Sequence, residues 1–206
     1  MPESADQLPP AVIPRHAASL IVLRRTDAGW AALMGLRGAR HRFMPNRLVF
    51  PGGAVDPDDG AAPVAAELRP VTRAMLQRAA DPELARALAV AAARELEEET
   101  GLTLGTPPDL SELRYLCRAV TPAGNPVRFD ARFLVVASDH VSGSLAGSGE
   151  LEGLRWYGLD EALDLDLALV TREVMLQLVA WIALPEAERD GRQRTVVFDD
   201  RTWREE

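Results

Sequence analysis

The densest group of chemically active side chains is a run of glutamates in residues 94–102, Arg-Glu-Leu-Glu-Glu-Glu-Thr-Gly-Leu, at the end of a predicted helix. At about 100° per residue, Glu98 and Glu99 fall within about 60° of Glu95, whereas Glu97 points about 200° away. Three carboxylates therefore share one helix face. Divalent cations such as Mg²⁺ take oxygen ligands, usually one or two carboxylates with phosphate oxygens and water. The cluster indicates a cation site.

A solvated helix end is the alternative interpretation of these glutamates. The helix dipole favours acidic side chains in the first turn and opposes them in the last turn, where these glutamates lie. Ala89, Ala93, Leu96 and Thr100 supply a separate face that the helix can bury. The carboxylates can therefore line a cleft, which favours the cation site.

A glycine pair, in Phe50-Pro51-Gly52-Gly53, precedes this helix. Residues 94–102 match every specified position of Arg-Glu-U-x-Glu-Glu-x-Gly-U, the second half of the Nudix signature, in which U is a bulky aliphatic residue. Together, the two segments resemble those of Nudix hydrolases.

The first half of the signature is split in this chain. The family's first glutamate follows the glycine after five residues, and Asp59 stands at that position. Between Asp59 and Arg94 lie 34 residues, where the signature has seven. The chain thus resembles Nudix members whose box contains a helical insertion, here over about residues 60–86. The split leaves the part played by Asp59 open.

The resemblance implies an α/β fold, the Nudix α/β/α sandwich with a mixed β-sheet, and catalysis with Mg²⁺ or Mn²⁺. Glu95 is the first choice for the general base, and Glu150 in a later loop is the second, with a solvated loop acid as its alternative. Arg94 would pair with a neighbouring glutamate and fix its rotamer. The implied metal ligands are Glu95, Glu98, Glu99 and the carbonyl of Gly52.

The segment before the glycine pair resembles that of Nudix enzymes that cleave coenzyme A, in which two arginines stand five positions apart. Arg37 and Arg42 match both arginines and are the expected substrate-binding residues. Several basic residues here would suit a ligand with an additional phosphate, since the arginine fork matches phosphate. A solvated basic loop is the alternative.

We therefore expect hydrolysis of a pyrophosphate bond in a small nucleotide-type substrate, with coenzyme A or an acyl-coenzyme A as candidates. The alternatives are a nucleoside diphosphate sugar or nucleoside triphosphate as substrate, a Nudix module that binds nucleotides without cleavage, and a purely structural acidic helix.

The predicted elements place these residues at the ends of strands and on one helix. That helix begins after Asp81, with Pro82 at its first position, and ends at Gly101. Pro70 should break or kink the preceding helical segment. The predicted strands cover residues 18–24, 30–37, 48–50, 113–120, 127–137, 154–157 and 195–198, and a further helix covers 170–184.

The insertion, roughly residues 60–80, is expected to lie outside the central sheet and to be replaceable by a short linker. Its apolar residues Leu68, Met75 and Leu76 suit the core. The insertion could also shape the acyl or pantetheine side of a pocket, or form a homodimer surface.

Composition and charge limit the remaining classes. We expect residues 1–14 to be a loose leader and residues 15–206 to be a single domain. The net charge of −8 would repel a nucleic acid. The single cysteine, Cys117, together with the lack of a signal peptide or a long apolar span, predicts a cytoplasmic protein without membrane attachment.

Overall fold

A computed structural model of the chain describes residues 12–38, 44–147, 149–191 and 194–206. The described strands are β1 (Arg15–Thr26), β2 (Gly29–Arg37), β3 (Leu48–Val49), β4 (Gly52–Ala54), β5 (Leu102–Thr103), β6 (Arg114–Val120), β7 (Phe129–Ala137), β8 (Ser142–Gly143), β9 (Leu151–Gly158), β10 (Val196–Asp199) and β11 (Thr202–Glu205). The described helices are α1 (Pro70–Leu76), α2 (Pro82–Thr100), α3 (Leu159–Asp164), α4 (Leu169–Ile182) and α5 (Glu186–Gly191), with a 3₁₀ turn at Ser138–His140.

Nine of the described strands form one mixed sheet. Its main path runs β11-β10-β6-β7-β1-β2-β3, while β4 pairs with β1 and β9 pairs with β2. The β1–β7 and β6–β10 pairs are parallel, and the other pairs are antiparallel. The glycine pair lies in β4, where Gly53 is the register partner of Ala18 in β1. The pairing therefore fixes the glycines against the central strand.

Helices cover both faces of this sheet. Ala18, Leu20 and Val22 of β1 pack into a core with α1 and α2, whereas Ile21 and Leu23 pack into a second core with α3 and α4. This is the side-chain alternation of a strand that is buried on both faces. The expected α/β/α sandwich with a mixed sheet is confirmed.

Helix α2 has the predicted ends. The carboxylate of Asp81 accepts from the backbone N–H of Leu84 at 2.8 Å, and Pro82 occupies the first turn. Gly101 ends the helix at φ 73°, and its N–H donates to the carbonyl of Glu97. The acidic run therefore lies in the last turns of a helix with fixed ends.

Pro70 does not break a helix, as the sequence suggested, but begins α1. Proline suits this position because the first N–H groups of a helix have no intrahelical partner.

The insertion lies outside the nine-stranded sheet, as expected, yet it belongs to the core. The hydroxyl of Thr72 donates to the carbonyl of Leu113 at 2.8 Å. Its buried apolar side chains are Leu68, Met75 and Leu76. Replacement by a short linker would expose the α2 face of the sheet, so the structure argues against that expectation.

The predicted β6–β7 hairpin and the helix near 170–184 are present, the latter as α4. The short helices α3 and α5 and the short strands β4, β5, β8 and β11 were not predicted. No described helix combines the length and the apolar character required to cross a bilayer.

Candidate active site

Two glycines form the floor of the candidate site. The N–H of Gly52 donates to Oε2 of Glu99 at 2.8 Å. A Cβ atom added to Gly53 would overlap the carboxylate of Glu95, and one added to Gly52 would overlap the carbonyl oxygen of Ala18. Only glycine permits this close approach of β4 to both β1 and α2.

Burial controls the protonation of the two inner carboxylates. Glu99 is 2% exposed, and desolvation raises its pKa to about 7, although its hydrogen bond and Arg37 oppose this rise. Burial also raises the pKa of Glu95, against the effect of Arg94. Glu150 is close enough to raise the pKa of both carboxyls. A divalent cation would relieve this desolvation and repulsion.

Arg94 holds the acidic helix in register with the glycine strand. Its Nη1 atom donates to Glu95 and to Glu98, each at 2.9 Å, and its Nη2 atom donates to the carbonyl of Ala54 at 3.0 Å. These partners occupy the guanidinium of Arg94.

Asp59 is the main residue of the site that the sequence left open. Its carboxylate is buried and accepts from Nε and Nη2 of Arg94 at 3.1 and 3.2 Å, and from the N–H of Asp56 at 2.8 Å. The fold therefore brings the two halves of the split signature into contact, although the insertion separates them in sequence. The signal was the position of Asp59 in the signature, but the 34 intervening residues hid the contact.

The side chains fit a divalent cation in chemistry, although their present rotamers do not converge. Among the described residues, no three Asp, Glu, His or Cys side chains form a ligand group. The side chain of Glu98 is 58% exposed. Arg94 forms ion pairs with both Glu98 and Glu95. Desolvated carboxylates beside a backbone carbonyl are nevertheless the oxygen donors that Mg²⁺ and Mn²⁺ accept.

Glu150 is carried by a loop that rests on the end of α2. The N–H of Ala146 donates to the carbonyl of Thr100 at 2.9 Å. A Cβ atom on Gly101 would lie 2.7 Å from the carbonyl oxygen of Ser144. Because Gly101 has no side chain, the loop that carries Glu150 can pack against the end of α2, near the inner carboxylates.

Arg37 lies beside the glycine pair at the end of β2. Its Nη2 atom donates to the carbonyl of Gly52 at 3.3 Å, and its charge acts on Glu99. The Nε atom of Arg37 is buried without a hydrogen-bond partner among the described residues. The other expected arginine, Arg42, lies outside those residues.

A cavity of about 340 Å³ opens beside this site on the α4 face of the sheet. Gly52, Gly53 and Arg37 line one part of it, and most of the remaining wall is apolar. None of residues 60–80 lines it, so the insertion does not shape this pocket. The apolar wall includes Phe129, Phe133, Leu169, Val170 and Phe198.

Comparisons with known proteins agree with the fold. The NUDIX domain family matches residues 83–178. Nudix hydrolase 7 of Caenorhabditis elegans is 28% identical, and the match covers 73% of this chain but 53% of that protein. The chain therefore spans about half the length of this relative.

Two solved structures are similar to the fold. A NUDIX hydrolase from Alicyclobacillus acidocaldarius has a TM-score of 0.61 and 29% identity, over 82% of this chain and 92% of that chain. A MutT NUDIX hydrolase from Burkholderia pseudomallei has a TM-score of 0.53 and 22% identity, over 81% of this chain and 99% of its own. The second likeness concerns the fold alone.

Proposed function

Because residues 83–178 match the NUDIX domain family, we propose that the chain is a pyrophosphohydrolase that cleaves a nucleotide-linked substrate with the aid of a divalent cation. One observation carries the proposal. The desolvated carboxylates of Glu95 and Glu99 meet the Gly52–Gly53 backbone at the rim of a largely apolar cavity.

The residues that would hold the cation are Glu95, Glu98, Glu99 and the carbonyl of Gly52. Bound Mg²⁺ or Mn²⁺ would neutralise the pyrophosphate and acidify a water molecule. Arg94 holds Glu95 and Glu98 at one edge of the site, and Asp59 holds Arg94. This chain of contacts links Asp59 to the proposed ligands Glu95 and Glu98.

Glu95 is the first candidate for the general base. A carboxylate with a raised pKa is a better proton acceptor near neutral pH than an ordinary glutamate. Glu150, which influences Glu95 and Glu99 electrostatically, is the second candidate. A pH profile of turnover for Glu95→Gln and Glu150→Gln separates them, because only loss of the base removes the limb that reports its ionisation.

Coenzyme A or an acyl-coenzyme A is the proposed substrate class. Arg37, with its unpartnered Nε–H beside the Gly52 carbonyl, is suited to bind an anionic oxygen at the pyrophosphate. The adjoining apolar cavity suits the organic part of such a substrate. A role for Arg42 remains a prediction from the sequence.

The test is a panel of coenzyme A, acyl-coenzyme A, ADP-ribose, a nucleoside diphosphate sugar and nucleoside triphosphates, assayed with Mg²⁺ and with Mn²⁺. We expect coenzyme A compounds to give 3′,5′-ADP and a phosphopantetheine fragment. A clear preference for another compound would replace the substrate assignment and keep the reaction type. Hydrolysis of none of them would overturn the proposed activity.

A matched pair of variants links any activity to the acidic helix. Glu99→Gln should lower turnover at least about 100-fold at saturating Mg²⁺, because it removes an anionic ligand from the site. Glu97→Gln changes an exposed glutamate of the same helix and should retain activity. Equal activity of both variants would refute the metal assignment.

A further inference from the structure

The cavity beside the glycine pair reaches a residue that the sequence did not single out. Arg201, in the turn between β10 and β11, lines the same cavity as Gly52 and Arg37. The strands from the glycine pair to this turn are β4, β1, β7, β6 and β10 in spatial order. Four steps between neighbouring strands correspond to about 19 Å. The cavity therefore crosses the sheet from the acidic site to the C-terminal hairpin.

Among the described residues, the charged side chains of the cavity lie at two places. Of the described side chains that line it, the only charged ones are Arg37 and Arg201, although the chain has a net charge of −8. The wall between them is largely apolar and includes Phe129, Phe133 and Phe198. This pattern suits a ligand that carries two separate anionic groups on one organic body.

The hairpin holds Arg201 at a defined place. Asp200 and Arg201 have φ angles of 46° and 62°, as in the tight turns that join two antiparallel strands. The indole N–H of Trp203 donates to Glu173 of α4 at 2.8 Å, and the rings of Phe198 and Trp203 lie 5.1 Å apart. The turn is therefore fastened to the helix that forms the opposite wall.

The guanidinium of Arg201 has no hydrogen-bond or ion-pair partner among the described residues. Its neighbour Arg204, by contrast, is paired with Asp199 on the same hairpin. The unpaired cation at the end of the cavity is thus available to a ligand.

We propose that Arg201 binds a second anionic group of the substrate, a phosphate monoester on the organic part that fills the apolar cavity. This inference rests on the proposed function for the identity of the reacting end. Arg37 would face the pyrophosphate, and Arg201 would select substrates that carry the additional phosphate. Specificity for that phosphate would then depend on the C-terminal hairpin.

The experiment uses substrate pairs that differ by one phosphate: coenzyme A against dephospho-coenzyme A, and NADP⁺ against NAD⁺. We expect the wild type to prefer the phosphorylated member of at least one pair by about tenfold or more in kcat/KM. Arg201→Gln should abolish that preference through a lower kcat/KM for the phosphorylated member. Arg201→Gly is a second variant, because glycine accepts the left-handed backbone of this turn.

Arg204→Gln is the matched control on the same hairpin and should retain the preference. A wild type without a preference in either pair, or a preference that survives both Arg201 variants, would overturn the proposal.

Binding of the products separates this inference from the proposed activity. If the wild type hydrolyses none of the four compounds, calorimetry with 3′,5′-ADP, 2′,5′-ADP and 5′-AMP decides the matter. Tighter binding of a bisphosphate that depends on Arg201 would support the inference while the activity fails. Equal binding of all three nucleotides would overturn it.

Discussion

Burial and ionisation conflict at Glu99 when no cation is bound. To bind the proposed cation its carboxylate must be an anion, yet it is buried against Gly52 near Glu95 and Glu150. The raised pKa of Glu99 expresses this conflict. The same residue should therefore limit the stability of the metal-free protein and allow its activity.

The free energy of unfolding in the presence of EDTA should decrease as the pH rises from about 4.5 to about 7, because of Glu99. Below this window, the folded and unfolded states both hold the proton. Within it, only the unfolded chain releases the proton, and above about pH 7 the loss is complete. The interval from 4.5 to about 7 corresponds to on the order of 3 kcal/mol at most.

Urea unfolding of Glu99→Gln at pH 4.5 and pH 8 measures this effect. We expect the variant to exceed the wild type in stability at pH 8 and to match it at pH 4.5. Glu97→Gln, which changes an exposed side chain, should follow the wild type at both values. An advantage of Glu99→Gln that is the same at both pH values would contradict this explanation.

Asp59 acts through Arg94, and its removal should disturb both stability and catalysis. Asp59→Asn leaves the guanidinium without its buried anionic partner, which should cost about 2–3 kcal/mol of unfolding free energy, because Arg94 keeps other partners. The released Arg94 would then no longer hold Glu95 and Glu98 in fixed positions. We expect kcat to fall more than KM changes.

Asp58→Asn is the matched control, since Asp58 is the exposed neighbour of Asp59. Denaturant unfolding and steady-state kinetics of both variants give the comparison. If the two behave alike, the Asp59–Arg94 pair does not position the site.

At the scale of elements, the end of α2 performs two tasks at one residue. Gly101 terminates the helix in the left-handed conformation and gives room to the loop that carries Glu150. Gly101→Ala should therefore lose more than the roughly 1 kcal/mol that a left-handed alanine costs, because its Cβ atom would meet the carbonyl of Ser144 at 2.7 Å.

Gly153→Ala isolates the backbone effect, since Gly153 has φ 59° and open space around its Cβ position. The difference in unfolding free energy between the two variants measures the loop contact. We also expect only Gly101→Ala to lower turnover, through displacement of Glu150. Equal effects of the two variants would limit Gly101 to helix termination.

The insertion should behave as part of the core when it is truncated. Leu76 of α1 is 1% exposed and packs with α2 and the sheet. Leu76→Ala should destabilise the protein by about 2–5 kcal/mol while the substrate preference stays unchanged, because no residue of α1 lines the cavity. Thermal unfolding and the substrate panel measure both. A changed substrate preference without a loss of stability would contradict this separation of α1 from the cavity.

At the scale of the whole molecule, the local features were predictable and the contacts across long stretches of chain were not. The ends of α2 follow from Asp81, Pro82 and Gly101, because helix caps act within a few residues. The Asp59–Arg94 pair crosses the insertion, and nothing local in the sequence requires it to close. A cytoplasmic location and a homodimer stay predictions.

The proposed substrate side was the least predictable part of the site. Arg201 is distant in sequence from every residue of the Nudix signature and carries no motif of its own. It meets the cavity only because β10 follows β6 in the sheet order and β11 returns beside it. Strand order of this kind depends on the packing of the complete chain, which a spacing pattern along one segment does not encode.

Adjacent residues of β1 face opposite sides of the sheet, so they affect the cavity and the packing of α2 separately. Ala17 and Ser19 line the cavity, whereas Ala18 and Leu20 pack on the α2 side of the sheet. Substitutions at Ala17 or Ser19 can change the ligand preference without repacking the acidic helix. Substitutions at Ala18 or Leu20 can repack that helix without changing the cavity wall. A directed-evolution library for new substrates should therefore randomise alternate codons of this strand and hold the intervening ones constant.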